Sequence, residues 1–537
     1  MTAVRVAGTL DRNLAWDGAR MYEDADLDPG RELPVGLRGA VASVRSDTTG
    51  RLRIVRDPLG INKLFWAEAD ETITVAARPR RLTQAGHAFD AISAIPRGTI
   101  VDLDPAGGYA AQHAIQLDGL RARSGGHVAR IGTIARAIGS SVSGYLAALA
   151  SAHPRARVFV CLSGGLDSSG IAALAREHFP GLEAVSFDLE RPRSRPSEDR
   201  VIAVRLARDL GLPLLEATVT EEQLLAHIDT ALVEGVDWRD FNVHAALVNA
   251  ALAQAIADAA GAPDERRPVM VLTGDLANEF LADYEPERYA GTSHYELPKL
   301  TRPALRRILV RGLDTSHREV GLFEAWRLSA VQPYAAVADA YLTLPDAFIS
   351  DPDCKRHLCR ELLGTRLPEY VYARGKARAQ VGGPGAGGGV LGLCVDGGYD
   401  AARLKHRFAE LHGGDRPDPT GPVHPRRRLP QRRAVGDGDR ACTSVRSRTA
   451  RRPTCARAST SARATRGSGP PPTCSTAATS TRSGSSSSSS SSRRSSTSRS
   501  PTRTSCPTTS RRSTASRGSC AADRRRDEPG RRRLAFR

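Results

Sequence analysis

At 537 residues the chain is long enough for two or three domains with several sizeable cores. Its formal charge of +18 would suggest a nucleic-acid or acidic-membrane binder, but the excess is local: residues 414–537 hold 29 Arg, no Lys and 7 acidic residues. Residues 1–413 carry 48 basic and 52 acidic groups, so the body gives no electrostatic ground for either class of partner.

The opening MTAVRVAGTLDRN has no apolar core of signal-peptide length, and no stretch of about 18 apolar residues follows anywhere. Cysteines 161, 354, 359 and 394 form no metal-type CxxC pair, and the remaining five lie beyond residue 414. A soluble chain in the reducing cytoplasm, away from membranes, is the expectation.

From Glu32 to about Asp118 the pattern is short strands between turns: LRGAVASVR, LRIVRDPLG, LFWAEA, TITVAA and IPRGTIVDLDPAGG. Alternating β-branched residues between Gly, Pro and Asp predict an antiparallel β-rich unit. From about His127 the period changes. IGTIARAIGSSVSGYLAALA has helical spacing, RVFVC reads as a buried strand, SSGIAALAREHF as a helix, LEAVSFDLE as a strand and EDRVIAVRLARDLG as a helix. The alternation predicts a parallel sheet covered on both faces. Helical patterns at 242–261 and 354–367, with the apolar strand PVMVLTG (268–274) between them, add a further helical layer.

Residues 414–537 contain eight consecutive serines (485–492) and no Ile, Lys, Met, Asn, Trp or Tyr. Such a segment buries too little apolar surface to offset chain entropy, and disorder is expected. An Arg/Ser-rich phosphate-binding tail and the out-of-frame translation of a GC-rich gene are the competing origins; the abrupt loss of whole residue types favours the second. Nucleic acid is therefore not an expected partner.

The stretch CLSGGLDSS (161–169) leaves a buried strand and enters a helix. In a parallel sheet the strand carboxyl ends face a ligand crevice, and the next helix presents its first N–H groups there. Ser163, Gly164 and Gly165 can wrap a phosphate with main-chain donors, the glycines permitting an approach that a Cβ would block. Asp167 offers a carboxylate to Mg²⁺, and Ser168 and Ser169 stand where an N-cap hydroxyl would meet phosphate oxygens. No lysine closes the loop as in GxxxxGK[ST], and a capped strand-to-helix turn is the structural alternative.

LSGGLDSS resembles the pyrophosphate-binding loop of the ATP pyrophosphatase superfamily, and in this wording that of the glutamine-hydrolysing asparagine synthetase family. VSFDLERPRSRPSEDRVIAVRLARDLG (185–211) is similar to the family's second strand and helix, where strand backbone holds adenine. LTGDLANEFLADY (272–284) resembles its second signature, G-[DE]-G-x-D-E-x-x-x-x-Y. KRHLCRELLGTRLPEYVYARGKARAQVGG (355–383) resembles the late segment in which a lysine follows R-x, here Arg374-Gly375-Lys376. RDPLGINKLFW (56–66) and IPRGTIVDLDPAGG resemble the later half of the family's glutaminase domain.

The resemblance implies an α/β fold: a parallel-sheet, adenine-nucleotide α-hydrolase-like (ATP pyrophosphatase) domain with helical additions over 119–413. A partial β-rich, Ntn-hydrolase-like and glutaminase-like domain over 1–118 precedes it, and the tail 414–537 follows. It implies ATP and Mg²⁺ as cofactors and the adenylation of a small-molecule carboxylate, aspartate or a related acid, with release of pyrophosphate and capture by ammonia or an amine. Leu162, Ser163, Gly164, Gly165, Asp167, Ser168, Ser169, Thr273 and Gly274 would bind the nucleotide. Lys376 would offset charge on the departing pyrophosphate, and Asp275 would orient or deprotonate the incoming amine. Asp275 favours ammonia over the chemistry of the β-lactam-forming relatives, which place a tyrosine near that position.

Three departures stand out. The family's second Mg²⁺ carboxylate falls on Asn278, a neutral and weaker ligand paired with Asp167. LSAVQPYAAV (328–337) carries Ser329, Val331 and Ala336 where the family commonly shows Glu, Arg and Asp, which points away from aspartate if those positions shape the substrate region. No cysteine precedes Cys161, and the glutamine-holding segments are missing, so glutaminase activity is not expected. The alternative function is a catalytically impaired homologue, or a synthetase subunit relying on a separate glutaminase; that glutaminase, or a second copy in a homodimer, would be its protein partner.

Overall fold

The computed structural model describes residues 3–34, 36–70, 72–103, 109–114, 131–190, 197–264, 266–313, 317–375, 380–381 and 388–413, all within one compact unit, Met1–Gly438. Lys376 and the segment 414–537 lie outside the described residues.

The expected parallel sheet is present. Its first strand, β1 (Arg157–Cys161), is the run RVFVC, with Val158, Phe159 and Val160 buried. β2 (Glu183–Glu190) and β3 (Leu214–Thr220) follow on one side, β4 (Val269–Leu272) and β5 (Ser329–Val331) on the other, in the order β3-β2-β1-β4-β5. Every neighbouring pair is parallel, with Val160 opposite Leu272 and Val271 opposite Ala330. The chain reverses its direction of growth between β1 and β4, and that switch point opens a crevice at the strand carboxyl ends.

Helices cover the sheet. Apolar residues four apart (Ile134, Ile138, Val142, Leu146) give α1 (Ile131–Ala152) its buried stripe. α2 (Leu166–Ala175) follows β1 directly, and α3 (Glu198–Leu210) follows β2. Ser197 caps α3 by accepting the Arg200 N–H at 3.2 Å, and Gly211 ends it at φ 68°. α4 (Asp240–Ala260) packs on β2 and β3, and α5 (Ala277–Leu281) follows β4. α6 (Cys354–Leu363) packs on both α1 and α2. By length and composition α4 could cross a membrane, although Asn and Gln interrupt it; with Val243, Leu247, Ala250, Ala251 and Ile256 buried, it is a core helix.

The N-terminal part is β-rich, but its strands begin well before Glu32. Ala3–Val6 pairs in parallel with Thr72–Ala76, and Leu14–Trp16 pairs with Met21–Tyr22 and Arg38–Ala40. These early strands are only two to four residues long, and Ala3–Val6 finds its partner nearly 70 positions on, so no local alternation marks them. Asp57 organises the RDPLGINK turn: its carboxylate accepts the N–H groups of Val41, Leu59, Ile61 and Asn62 at 2.9–3.2 Å. Lys63 from this turn donates to Leu313 O at 2.8 Å, and Arg97 donates to Val310 O at 2.9 Å, tying the β-rich part to the helical layer.

At the switch point the loops after β1 and β4 touch. A Cβ on Gly274 would lie 2.6 Å from the Ser168 amide nitrogen and 2.8 Å from the Asp167 carbonyl carbon. Gly274→Ala therefore overpacks two backbones against each other, which costs typically about 1–3 kcal/mol. We expect a lower melting temperature by differential scanning fluorimetry; an unchanged one would contradict this contact.

Candidate active site

The first loop extends the sheet, since Leu162 N–H donates to Val185 O at 2.8 Å. Gly164 then turns at φ 71°, where a Cβ would meet Ile202 at 2.5 Å, so both backbone and space demand glycine. Gly165, in extended conformation, is the N-cap of α2, and no side chain caps that helix end. Ser168 and Ser169 thus sit inside the first turn and not at the cap. Ser168 Oγ turns back to accept the Ser163 N–H at 3.2 Å and lies 3.0 Å from Ser163 Oγ. Ser169 is fully buried.

The second loop leaves β4 with Thr273 N–H donating to Val331 O at 2.9 Å. After Gly274 and Asp275 comes Leu276 at φ 83°, a left-handed conformation that costs a side-chain-bearing residue about 1–3 kcal/mol. This sharp turn launches α5, which brings Asn278 beside Asp167 of α2 and turns Glu279 to Tyr284 and Arg318. Asp275 is half-buried, and its pKa is pushed up to about 7 by desolvation and by the nearby Glu319 carboxylate, with Arg318 opposing.

Three cationic side chains complete the crevice. Lys355, in the first turn of α6, donates to Asp167 Oδ2 and to Asn278 Oδ1, the latter at 2.7 Å, and lies 3.2 Å from Asp283 Oδ2. Burial disfavours its charge, but Asp167 and Asp283 outweigh that and hold its pKa above the ordinary lysine value. Arg318 bonds Glu319, donates to Asn242 Oδ1 at 2.7 Å and lies 3.7 Å from Glu279 Oε1, which accepts the Tyr284 hydroxyl at 2.7 Å. Arg374 binds Asp199 and donates to Ser163 O at 3.1 Å, joining the late segment to the first loop.

The family model described as asparagine synthase matches residues 149–334, which span both loops and the whole sheet. Those residues form an asparagine synthase domain. No curated protein sequence matches the chain. Among solved structures, NMN synthetase from Francisella tularensis is similar at 16% identity over 52% of this chain and 93% of its own, with a TM-score of 0.21. The NH3-dependent NAD synthetase from Campylobacter jejuni gives 14% identity, 45% and 98% coverage and a TM-score of 0.22. The glutamine-dependent NAD+ synthetase from Acinetobacter baumannii, solved with adenosine diphosphate, gives 15% identity and a TM-score of 0.21 over 63% of this chain and 56% of its own.

In the synthase domain, Leu162, Ser163, Gly165, Asp167, Ser168, Thr273, Gly274, Asp275 and Asn278 line one cavity of about 460 Å³, together with Lys355, Arg374 and Gly375. Gly164 and Ser169 stand behind that wall. Ser186 Oγ, on β2 in the same wall, is buried with no hydrogen-bond partner among the described residues, a vacancy that suits a polar ligand. A second chamber of about 370 Å³ adjoins it, sharing Phe241, Glu279, Tyr284 and Arg318 and lined further by Leu276, Tyr295, Ile308 and Leu313. Ser329, Val331 and Ala336 line neither cavity; from that segment only Gln332 reaches the second chamber.

Size and the uncapped helix end fit a nucleoside triphosphate, while the lining carries eight carboxyl side chains against four cationic ones. A divalent ion at the expected pair is a different matter. Asp167 and Asn278 do come together, but they offer one carboxylate and one amide oxygen, and both accept from the Lys355 ammonium. Hard cations require several oxygen ligands, and among the described residues no group of three His, Cys, Asp or Glu could hold a metal. Asp283 Oδ2, 3.2 Å from the same ammonium, adds a second carboxylate, and Mg²⁺ at nucleotide sites commonly takes one or two carboxylates beside the phosphates.

Lys355 and Arg318 were missed as site residues in the sequence. For Lys355 a signal exists: it lies three and four positions before Leu358 and Cys359, both buried, so it belongs to an apolar helix face.

The raised pKa of Asp275 carries a stability consequence. Between the ordinary aspartate value of 3.8 and about 7 the folded protein keeps a proton that the unfolded chain has lost, so this group's contribution falls as pH rises through that window. Asp275→Asn removes the effect. Its melting temperature relative to the parent protein should climb from about pH 5 to about pH 8; a difference that stays constant would refute the shift.

Proposed function

We propose that the chain is an ATP-dependent carbon–nitrogen ligase that adenylates a carboxylate, aspartate or a related acid, and passes the acyl group to ammonia or an amine. The observation that carries this reading is the convergence of two strand-end loops, an uncapped helix N-terminus and an acid poised near neutrality on one cavity of nucleotide size.

In the first step a carboxylate oxygen attacks the α-phosphorus of ATP and the bond to pyrophosphate breaks. The first-turn N–H groups of α2 meet the phosphates, with the helix dipole favouring their charge. Lys376, which follows the cavity-lining Gly375, keeps from the resemblance its part in offsetting charge on the leaving pyrophosphate. In the second step the amine attacks the acyl carbonyl, the carbon–nitrogen bond forms and AMP leaves. Asp275 accepts the proton that the nitrogen sheds; a pKa of about 7 suits a general base at neutral pH. The adjoining chamber gives the body of the acceptor room beside Asp275. Mg²⁺, expected from the resemblance as the counter-ion of ATP, is assigned no step through these residues.

The nitrogen donor in this reading is ammonia or an amine, taken directly or from a separate glutaminase. The four described cysteines are free, which supports a reducing cytoplasm.

Pyrophosphate release by the full chain, measured with ATP, Mg²⁺ and a panel of acids from aspartate to bulkier apolar carboxylates, tests the reading. We expect release with an accepted acid and amide formation with ammonia but not with glutamine. Failure of every acid sinks the ligase reading, and turnover driven by glutamine alone refutes the donor. Asp275→Asn should lower amide formation by about 10²–10⁴-fold while acid-dependent pyrophosphate exchange persists; parallel loss of both would take Asp275 out of the second step.

A further inference from the structure

The chamber beside the nucleotide cavity is walled mainly by rings and aliphatic side chains. Its volume of about 370 Å³ is within the range of small-molecule sites. Phe241 meets Tyr284 and Tyr295 edge-on, with ring centroids 5.5 and 5.2 Å apart, and all three rings belong to the wall. Leu276, from the turn after Asp275, adds aliphatic surface with Ile308 and Leu313, and Ile61 reaches the chamber from the RDPLGINK turn of the β-rich part. Because Phe241, Glu279, Tyr284 and Arg318 line both cavities, an acid whose carboxylate meets the nucleotide has this chamber beside the rest of its body.

The charges of the wall decide what that body carries. Five carboxyl side chains (Asp240, Glu279, Glu285, Glu296 and Glu319) stand against Lys63, Arg239 and Arg318. Each of these cations is already engaged. Lys63 donates to the carbonyls of Gly60 and Leu313, Arg239 holds the Asp237 carboxylate, and Arg318 binds Glu319 and Asn242. His317 is neutral, its pKa lowered to about 3 by burial and by Arg78. A second carboxylate on the ligand would exchange water for a wall with an excess of like charge, where every lining cation among the described residues is committed elsewhere. Glu285 and Glu296 are exposed at the rim, so the surface left for a ligand inside is that of the rings and aliphatic side chains.

We propose that this chamber selects the acceptor: the acid that is activated is a monocarboxylate with an apolar body the size of an aromatic ring, and not aspartate or another dicarboxylate. The inference rests on the ligase reading for calling this ligand an acceptor, but its test reads binding.

Calorimetric titrations of the full chain with phenylpropionate, succinate and aspartate, each in the presence of Mg²⁺ and α,β-methylene-ATP, measure it without turnover. We expect phenylpropionate to bind at least about tenfold more tightly than either dicarboxylate. Ile308 is 46% exposed, so a substitution there spares the core. Ile308→Asp should weaken phenylpropionate about tenfold or more, and Ile308→Leu should retain it. Dicarboxylates that bind as tightly as phenylpropionate, no binding of phenylpropionate, or an Ile308→Asp affinity equal to the parent's each overturn the proposal. Pyrophosphate release with aspartate as the acid overturns it too, while the ligase reading stands. Selective binding of phenylpropionate with no pyrophosphate released by any acid sinks the ligase reading and leaves the chamber's selectivity intact.

Discussion

Between Gly274 and the first turn of α2 there is no room for a methyl group, and the chemistry of the crevice follows from that contact. Adjacent parallel strands lie about 4.8 Å apart, so the loops that leave β1 and β4 must diverge at once or share a boundary made of backbone. The chain takes the second course. With a hydrogen atom facing the Ser168 amide, the GDLAN loop runs beside the helix end, and Asp167 and Asn278 become neighbours although 111 positions separate them in sequence.

That closeness creates an electrostatic problem that the structure solves with cations from distant segments. Lys355 joins Asp167, Asn278 and Asp283; Arg318 serves Glu279 and Glu319; Arg374 binds Asp199 and holds the carbonyl of Ser163. Asp275 has its pKa raised by desolvation first and then by the neighbouring Glu319 carboxylate, with Arg318 and Thr273 only partly opposing. Its carboxyl therefore keeps a proton to near neutrality. Cys161, half-buried beside it, has its thiol pKa raised by desolvation and by that carboxylate.

The sheet and its two loops were legible because their signals are local. RVFVC and PVMVL are short apolar runs bounded by glycine, and each is followed by a helical period. The N-terminal strand Ala3–Val6 was not legible, since its partner lies at Thr72–Ala76 and nothing in AVRV announces the pairing. Ser168 illustrates a finer limit: a hydroxyl near a helix start reads as a cap, but the glycine at 165 took that place and Ser168 turned back into the loop. Residues 329, 331 and 336, which depart from the family pattern, are placed away from both cavities, so their identity says less about the substrate than their position in a motif suggested.

Asn278 is the departure whose meaning the structure changes most. Read alone, the loss of a carboxylate is the loss of a metal ligand and a mark of impairment. Beside Lys355 it is a matched exchange: the amide oxygen accepts an ammonium N–H at 2.7 Å, and it does so without adding a third negative charge to Asp167 and Asp283 in an enclosed site. An aspartate there would raise the cost of holding Asp167 ionised, because like charges at short range disfavour one another. An asparagine lets a single lysine satisfy the cluster. The neutral residue and the buried lysine therefore form one arrangement, and neither residue can be interpreted from its own segment of sequence.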